Sequence, residues 1–223
     1  MPRDPFHESI PGFKKLYIFG AGGSGREVAW LAKQSWGNEL EIEFLVDIPD
    51  YPRHPVNGHA VRLITEIEPN ISSRVVIAIG DPSSRRRIAI LCDAVPLQEA
   101  IVVHPRSEIS DSVELGSGTI VCAGTILTTN INVGRHVQIN VGCTVSHDAI
   151  IGDFTTLSPG VHVSGHVHIG QGAFIGTGAS IINGSQSAPI VIGDRAIVAA
   201  GACVTKSVEA GALVAGVPAI RKR

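Results

Sequence analysis

Aliphatic residues recur at every sixth position through the second half of the chain. The series runs Ile109, Leu115, Val121, Leu127, Val133, Ile139, Val145, Ile151, Leu157, Val163, Ile169, Ile175 and Ile181, then resumes at Ile192, Val198 and Val204. A helix repeats near 3.6 residues and a flat strand at 2, so neither yields six. A chain that turns a corner every six residues does, with one aliphatic side chain entering a narrow core on each straight segment. Glycines 116, 134, 152 and 170 mark a longer period of 18, three sixes. The pattern predicts a triangular β-solenoid with three short faces per coil. Residues two before each ladder position (Ser107, Val113, Thr119, Thr125, Ile131, Val137, Cys143, Ala149) are small or β-branched and predict a second inward file. With coils about 4.8 Å apart, roughly five of them make a prism about 24 Å tall.

The first hundred residues carry another pattern. Leu16–Phe19 is a short apolar strand that runs into Gly20-Ala-Gly22-Gly23-Ser24-Gly25. Arg26–Gln34 reads as a helix with Val28, Leu31 and Ala32 on one face, and Ile42–Val46 as a strand ending at Asp47. Val75–Ile79 reads as a third strand, leading through Gly80-Asp81-Pro82 into a basic helix over Ser83–Leu91. This β-α-β-α-β order is the mononucleotide half of a doubly wound sheet. Glycines between strand and helix let backbone N–H groups approach a pyrophosphate at the helix N-terminus. Asp47, 22 residues after Gly25, stands where such folds place a ribose-binding carboxylate. A tight turn with no ligand would use the same glycines. An NAD-dependent oxidoreductase fits poorly, because about 100 residues make only half a dinucleotide domain and a solenoid follows them. A nucleotide, or a nucleotide-sugar, fits better.

Composition separates the halves near His104-Pro105, predicting a Rossmann-like domain over 1–103 and a β-helix over 104–223. Both tryptophans, both tyrosines and four of the six phenylalanines precede that point, as a prism too thin for large rings requires. A net charge of −2 offers no electrostatic case for a nucleic acid partner. No stretch reaches the ~20 apolar residues of a membrane span, and MPRDPFHESIPGFKK has no apolar leader core. The four cysteines, 92, 122, 143 and 203, show no CxxC and no paired spacing. They read as reduced thiols of a cytoplasmic protein rather than disulfides or a zinc site.

Because positions 18 apart stack, the register serves as a map. Ser146-His147-Asp148 forms a corner after Val145, with Thr129-Asn130 one coil below and Gly165-His166 one coil above. A histidine, a carboxylate, an amide and a bare glycine backbone therefore converge at one corner, although solvated corner residues would give the same spacing. His162 and His168 are six apart, so they fall on successive faces and point away from each other. Zinc needs three or four converging ligands, so no metal is expected, and a solenoid metal hydratase is disfavoured. His104 and His136 read as surface or junction residues.

Gly20-Ala-Gly-Gly-Ser-Gly-Arg-Glu-Val, Ala78-Ile-Gly80, Asn140 seven before His147-Asp148, Ile151-Gly-Asp-Phe154 and Ala215-Gly-Val-Pro-Ala219 occur in that order. Together they resemble the left-handed β-helix sugar acetyltransferases that carry an N-terminal nucleotide-binding domain. That group includes the bacillosamine and perosamine N-acetyltransferases and the sialic acid O-acetyltransferase-like proteins. The resemblance spans nearly the whole chain. It implies a left-handed coil, an exception to the usual crossover rule, and a homotrimer with active sites between neighbouring prisms. It implies His147 as general base and Asp148 as the acidic neighbour that orients it. The nucleotide-sugar would lie over Gly22, Gly23, Ser24, Asp47 and Gly80, with Asn140 near the sugar. Acetyl-CoA would run along the intersubunit groove past Thr156, Thr177 and Ala200.

An imidazole suits proton removal from an attacking sugar amine at neutral pH, and the tetrahedral intermediate needs an oxyanion donor. The N–H of Gly165, stacked above His147, is the candidate. This chain departs from the resemblance where some relatives carry a histidine in place of Thr156 and of Ser24. Asn183–Pro189 also exceeds the regular spacing by five residues and predicts a loop bulging near the CoA end. The expected activity is acetyl-CoA-dependent N-acetylation of a nucleotide-linked amino sugar, of the 4-amino-4,6-dideoxy type used in surface glycans. The alternatives are O-acetylation of a sialic acid and a non-catalytic β-helix scaffold.

Overall fold

The computed structural model describes residues 12–68 and 70–222. Most of the N-terminal stretch inspected for a leader lies outside the described residues. The chain forms a small α/β domain followed by a left-handed parallel β-helix.

The first domain contains β1 Lys15–Phe19, α1 Gly23–Trp36, β2 Glu41–Val46, β3 Val61–Leu63, β4 Ser73–Ile77, α2 Pro82–Asp93 and β5 Gln98–Glu99. All five strands are parallel in the order β3-β2-β1-β4-β5. The chain leaves β1 toward β2 on one side and returns to β4 on the other, so the order reverses between β1 and β4. A crevice outside the carboxyl ends of these two strands is where such sheets bind ligands. The sheet covers both faces with helices: α1 packs Leu31 and Ala32 on one side, and α2 packs Ile88 and Ala89 on the other.

Three details differ from the sequence reading. The third strand stops at Ile77, two residues early, because the carbonyls of Ile79 and Gly80 accept from Arg85 at 2.6 and 3.1 Å rather than from a neighbouring strand. The strands β3 and β5 span three and two residues, too short to leave a periodic trace. The prism also begins ahead of position 104, since Val102–Val103 already pairs with Ile120–Val121.

The prism has three faces. Face 1 stacks the rungs beginning at Val102, Ile120, Gln138, Thr156, Phe174, Ile197 and Leu213. Face 2 stacks those at Glu108, Ile126, Thr144, His162, Ser180 and Cys203, and face 3 those at Glu114, Asn132, Ile150, Val167 and Ile190. The register is 18 through most of the stack, as in Ile126↔Thr144 and Thr144↔His162. Both inward files lie in the core as expected: Leu127, Val145 and Ile151 share it with Val113, Ile131 and Cys143.

Most corners hold their third residue in the left-handed region, with Arg106, Ser112 and Ser207 as exceptions, and the three edges fill that slot differently. Between faces 1 and 2 every left-handed slot is glycine: 124, 142, 160, 178 and 201. Between faces 3 and 1 the slot holds Gly118, His136, Phe154, Gly172, Arg195 and Gly211 in turn. Between faces 2 and 3, Asn130, Asp148 and His166 occupy it at φ 54°, 58° and 54°.

The first domain sits on the lower rungs of face 1. Val102, Ile120 and Cys122 share one apolar cluster with Leu31 and Ala32 of α1. Beside them Arg85 of α2, fully buried, donates to the carbonyls of His136, Phe154 and Thr155 in the prism and of Ile79 and Gly80 in its own domain. Burial pulls its pKa down to about 9 against the opposing charge of Asp81, which leaves the guanidinium cationic at neutral pH. Partial charges from several carbonyls replace a counter-ion. His136, a buried junction residue, places Nε2 2.6 Å from Glu99 Oε1 and stacks on Phe154.

Candidate active site

His147 stands exposed on the edge between faces 2 and 3. Its Nδ1 lies 2.8 Å from Asp148 Oδ2. With the proton on Nδ1 donated to that carboxylate, Nε2 holds the lone pair. Asp148 in turn accepts from Asn130 Nδ2 at 3.3 Å through its other oxygen. The hydrogen bond from His147 holds the Asp148 carboxyl below its ordinary range; desolvation opposes it, and Asn130 and the charge of His166 add to it. Gly165 fixes the ring from above: a Cβ there would meet His147 Cε1 at 2.5 Å and Nε2 at 2.6 Å. Among the described residues, the Gly165 N–H has no acceptor.

The insertion lies on this same edge. Gly184 N–H donates to Gly165 O and Ile190 N–H to His166 O, and the register above widens to 23, as in Val167↔Ile190. The exposed segment 185–188, expected near the CoA end, therefore projects directly above the histidine corner.

Sequence reasoning placed His166 one coil above this corner but gave it no role. His162 and His168 do fall on faces 2 and 3, as expected, with His162 Nδ1 2.9 Å from Thr144 Oγ1. His166, however, brings Nε2 to 3.7 Å from Asp148 Oδ2 and sets its ring edge-on to His147 at 5.2 Å. The 18-residue register contained this signal, since 166 stacks on 148.

In the first domain, Gly22, Gly23 and Ser24 lie exposed at the start of α1. That helix has no side-chain cap and no acid in its first turn, so its N–H groups face the crevice unopposed. Gly25 permits the close approach of helix to strand, since a Cβ there would fall 1.8 Å from Gly20 O. Asp47 ends β2 as expected, and its carboxylate pairs with Arg87 of α2 at 2.8 Å. Gly80 lies three residues beyond β4, its carbonyl accepting from Thr156 Oγ1 at 2.8 Å and from Arg85. Nearby, a cleft of about 300 Å³ opens between α2 and the upper rungs of face 1, lined by Ser83, Arg86, Phe174, Arg195 and Ile197.

The cofactor positions fare unequally. Thr177 and Ala200 are exposed on successive coils of the edge between faces 1 and 2, and Asn140 lies lower on that edge with Nδ2 donating to Leu157 O. Thr156 corrects the expectation. It is 2% exposed, and its hydroxyl is spent on Gly80 O and Arg85 Nη2. Its side chain belongs to the domain junction, with no surface open to a cofactor.

The prism geometry also separates the two halves of the site. The glycine loop belongs to the domain seated on face 1, whereas His147 lies on the edge opposite that face. One chain does not bring them together.

Comparison with known proteins accords with this layout. Residues 15–90 match the PglD N-terminal domain family, and residues 166–206 match the hexapeptide repeat of succinyl-transferase. GDP-perosamine N-acetyltransferase of Escherichia coli O157:H7 is 35% identical over 209 residues, covering 91% of this chain and 93% of that one. The chain belongs to the β-helix sugar N-acetyltransferases with a PglD-type N-terminal domain. WeeI from Acinetobacter baumannii AYE superposes on this acetyltransferase with a TM-score of 0.87 at 36% identity, covering 92% of this chain and 98% of WeeI. The acetyltransferase domain of PglB from Neisseria gonorrhoeae FA1090, solved with acetyl coenzyme A, gives 0.83 at 31% identity, covering 94% and 99%. PerB from Caulobacter crescentus, solved with CoA and GDP-perosamine, gives 0.82 at 27%, covering 94% and 97%. In this acetyltransferase the first matched family segment contains the glycine loop, Asp47, Gly80 and Arg85. The second contains the insertion, Thr177 and Ala200.

Proposed function

We propose that this acetyltransferase moves the acetyl group of acetyl-CoA onto the amine of a nucleotide-linked 4-amino-4,6-dideoxy sugar used in surface glycans. One observation carries the reading: His147 is held through Nδ1 by Asp148 and from above by Gly165, with Nε2 left as a base on an exposed edge. The sugar amine attacks the thioester carbonyl while Nε2 takes its proton. The oxyanion is received by the Gly165 N–H, and collapse expels the CoA thiolate, which recovers the proton from His147. Gly22, Gly23, Ser24 and Gly80 would hold the nucleotide-sugar at the β1–β4 crevice, with Asp47 on the ribose and Asn140 near the sugar. Thr177 and Ala200 would line the path of CoA. The relatives that act on or bind GDP-perosamine, and those bound to CoA, support this acceptor class and donor.

The separation of the glycine loop from His147 supports a homotrimer in which one chain's nucleotide loop meets another's base. Four free cysteines, and the absence among the described residues of any helix long and apolar enough to cross a membrane, support a cytoplasmic reaction. The test is CoA release against UDP-, dTDP- and GDP-linked amino sugars, with CMP-sialic acid and free sialic acid included. Release with an amino sugar is expected. Release with sialic acids alone would transfer the reading to O-acetylation, and no release from any of them would support a scaffold.

A further inference from the structure

The acetyl-transfer steps proposed above use the edge between faces 2 and 3 only in part, since none of them is assigned to His166. Yet His166 occupies a left-handed slot that glycine fills throughout the edge between faces 1 and 2. It does so directly above Asp148. A ring nitrogen of His147, a carboxylate oxygen of Asp148 and a ring nitrogen of His166 all lie within 4.8 Å of one another. The two measured spans are 2.8 Å from His147 Nδ1 to Asp148 Oδ2 and 3.7 Å from that oxygen to His166 Nε2.

Bonds of about 2.0–2.2 Å in a tetrahedron place ligand atoms about 3.4 Å apart, so small side-chain rotations bring the three into register. Two imidazole nitrogens and one carboxylate oxygen suit a borderline ion of the zinc class and not calcium or magnesium, which prefer all-oxygen sets. The second oxygen of Asp148 is held by Asn130, an outer contact of the kind that orients metal ligands. His147 and the solvent beyond it leave the fourth position to water.

We propose that His147, Asp148 and His166 form a binding site for one divalent transition-metal ion of the zinc class, in competition with the proton on His147 Nδ1. On binding, the Nδ1–H bond breaks and its proton leaves to solvent. The Nδ1 lone pair, the Asp148 carboxylate and His166 Nε2 each form one bond to the ion, and no redox change occurs. The metal takes Asp148 away from His147 and draws electron density from the ring, so Nε2 becomes a poorer base. Zinc is then an inhibitor, a consequence that rests on the acetyl-transfer reading; the binding itself does not.

The test uses metal-free full-length protein titrated with Co²⁺, read by visible absorption, and with Zn²⁺, read by calorimetry. One ion per chain is expected, bound at least ~10-fold more weakly by His166→Asn. Asparagine tolerates the left-handed slot, so the variant is expected to fold. His162→Asn should bind as the parent does. No binding at millimolar metal, parental affinity in His166→Asn, or a greater loss in His162→Asn would each overturn the site. In parallel, Zn²⁺ should stop CoA release by the parent at the concentrations that fill the site, and His166→Asn should resist it. A chain that binds metal but acetylates nothing would keep the site and remove the transferase reading. An active chain that binds no metal would do the reverse.

Discussion

His147 is constrained from two directions, through its ring nitrogen by Asp148 and across its ring by the missing side chain of Gly165. The two constraints predict different failures. His147→Ala removes the base and should lower turnover ~10²–10⁴-fold with little change in stability. Gly165→Ala keeps every titrating group but drives a methyl into the ring, which must turn away from Asp148. Displacement of a reacting group by about 1 Å costs ~10²-fold, so its turnover should fall without loss of thermal stability. CoA-release rates beside melting curves would check both, and an active Gly165→Ala would remove the ring contact from the mechanism. The stacking of His147, Asp148, Asn130 and Gly165 was legible in the sequence because their spacings reduce to one coil. Thr156 was not. Its spacing locates it on face 1, but only the docked first domain reveals that its outward side is covered.

Among the elements, α2 and the lower rungs of face 1 form one polar seam inside an apolar contact. Arg85 spans it through carbonyls, and Glu99 holds His136, Ser117 and Arg135. Burial opposes ionisation of Glu99, but these three partners outweigh it and hold the carboxyl at about 2 in place of its ordinary 4.5. A carboxyl depressed on folding adds stability above its unfolded value and loses it as pH falls through the folded one. The melting temperature should therefore drop between pH 4.5 and about 2, and Glu99→Gln should both lower it at pH 7 and flatten that slope. An unchanged slope in the variant would show that the seam does not depend on this pair. Elements with a long period, the ladder and the two helices, were readable from pattern. The two short strands were not, being too brief to leave a period, and nor was the seam, which joins residues distant in sequence, as Arg85 to His136 and Phe154.

For the whole molecule, the opposed placement of glycine loop and base predicts complementation. A chain carrying His147→Ala and one carrying Gly23→Asp should each be nearly inactive alone. Unfolded and refolded together in equal amounts, they should recover up to about a quarter of parental activity, because half of the loops and half of the bases are intact and pair at random around a ring. A site built within one chain would recover nothing. Sedimentation of the mixture should show a single trimeric species.

The left-handed slots suggest a way to read other prisms of this shape. A side chain in that conformation carries a backbone cost of ~1–2 kcal/mol that glycine avoids. Along one edge this chain never accepts the cost; along the other two it does so where a domain docks or where the histidine corner lies. Scanning the left-handed corner slots for anything but glycine would then mark where a domain docks or a polar cluster stands in an unfamiliar repeat protein before any relative is known.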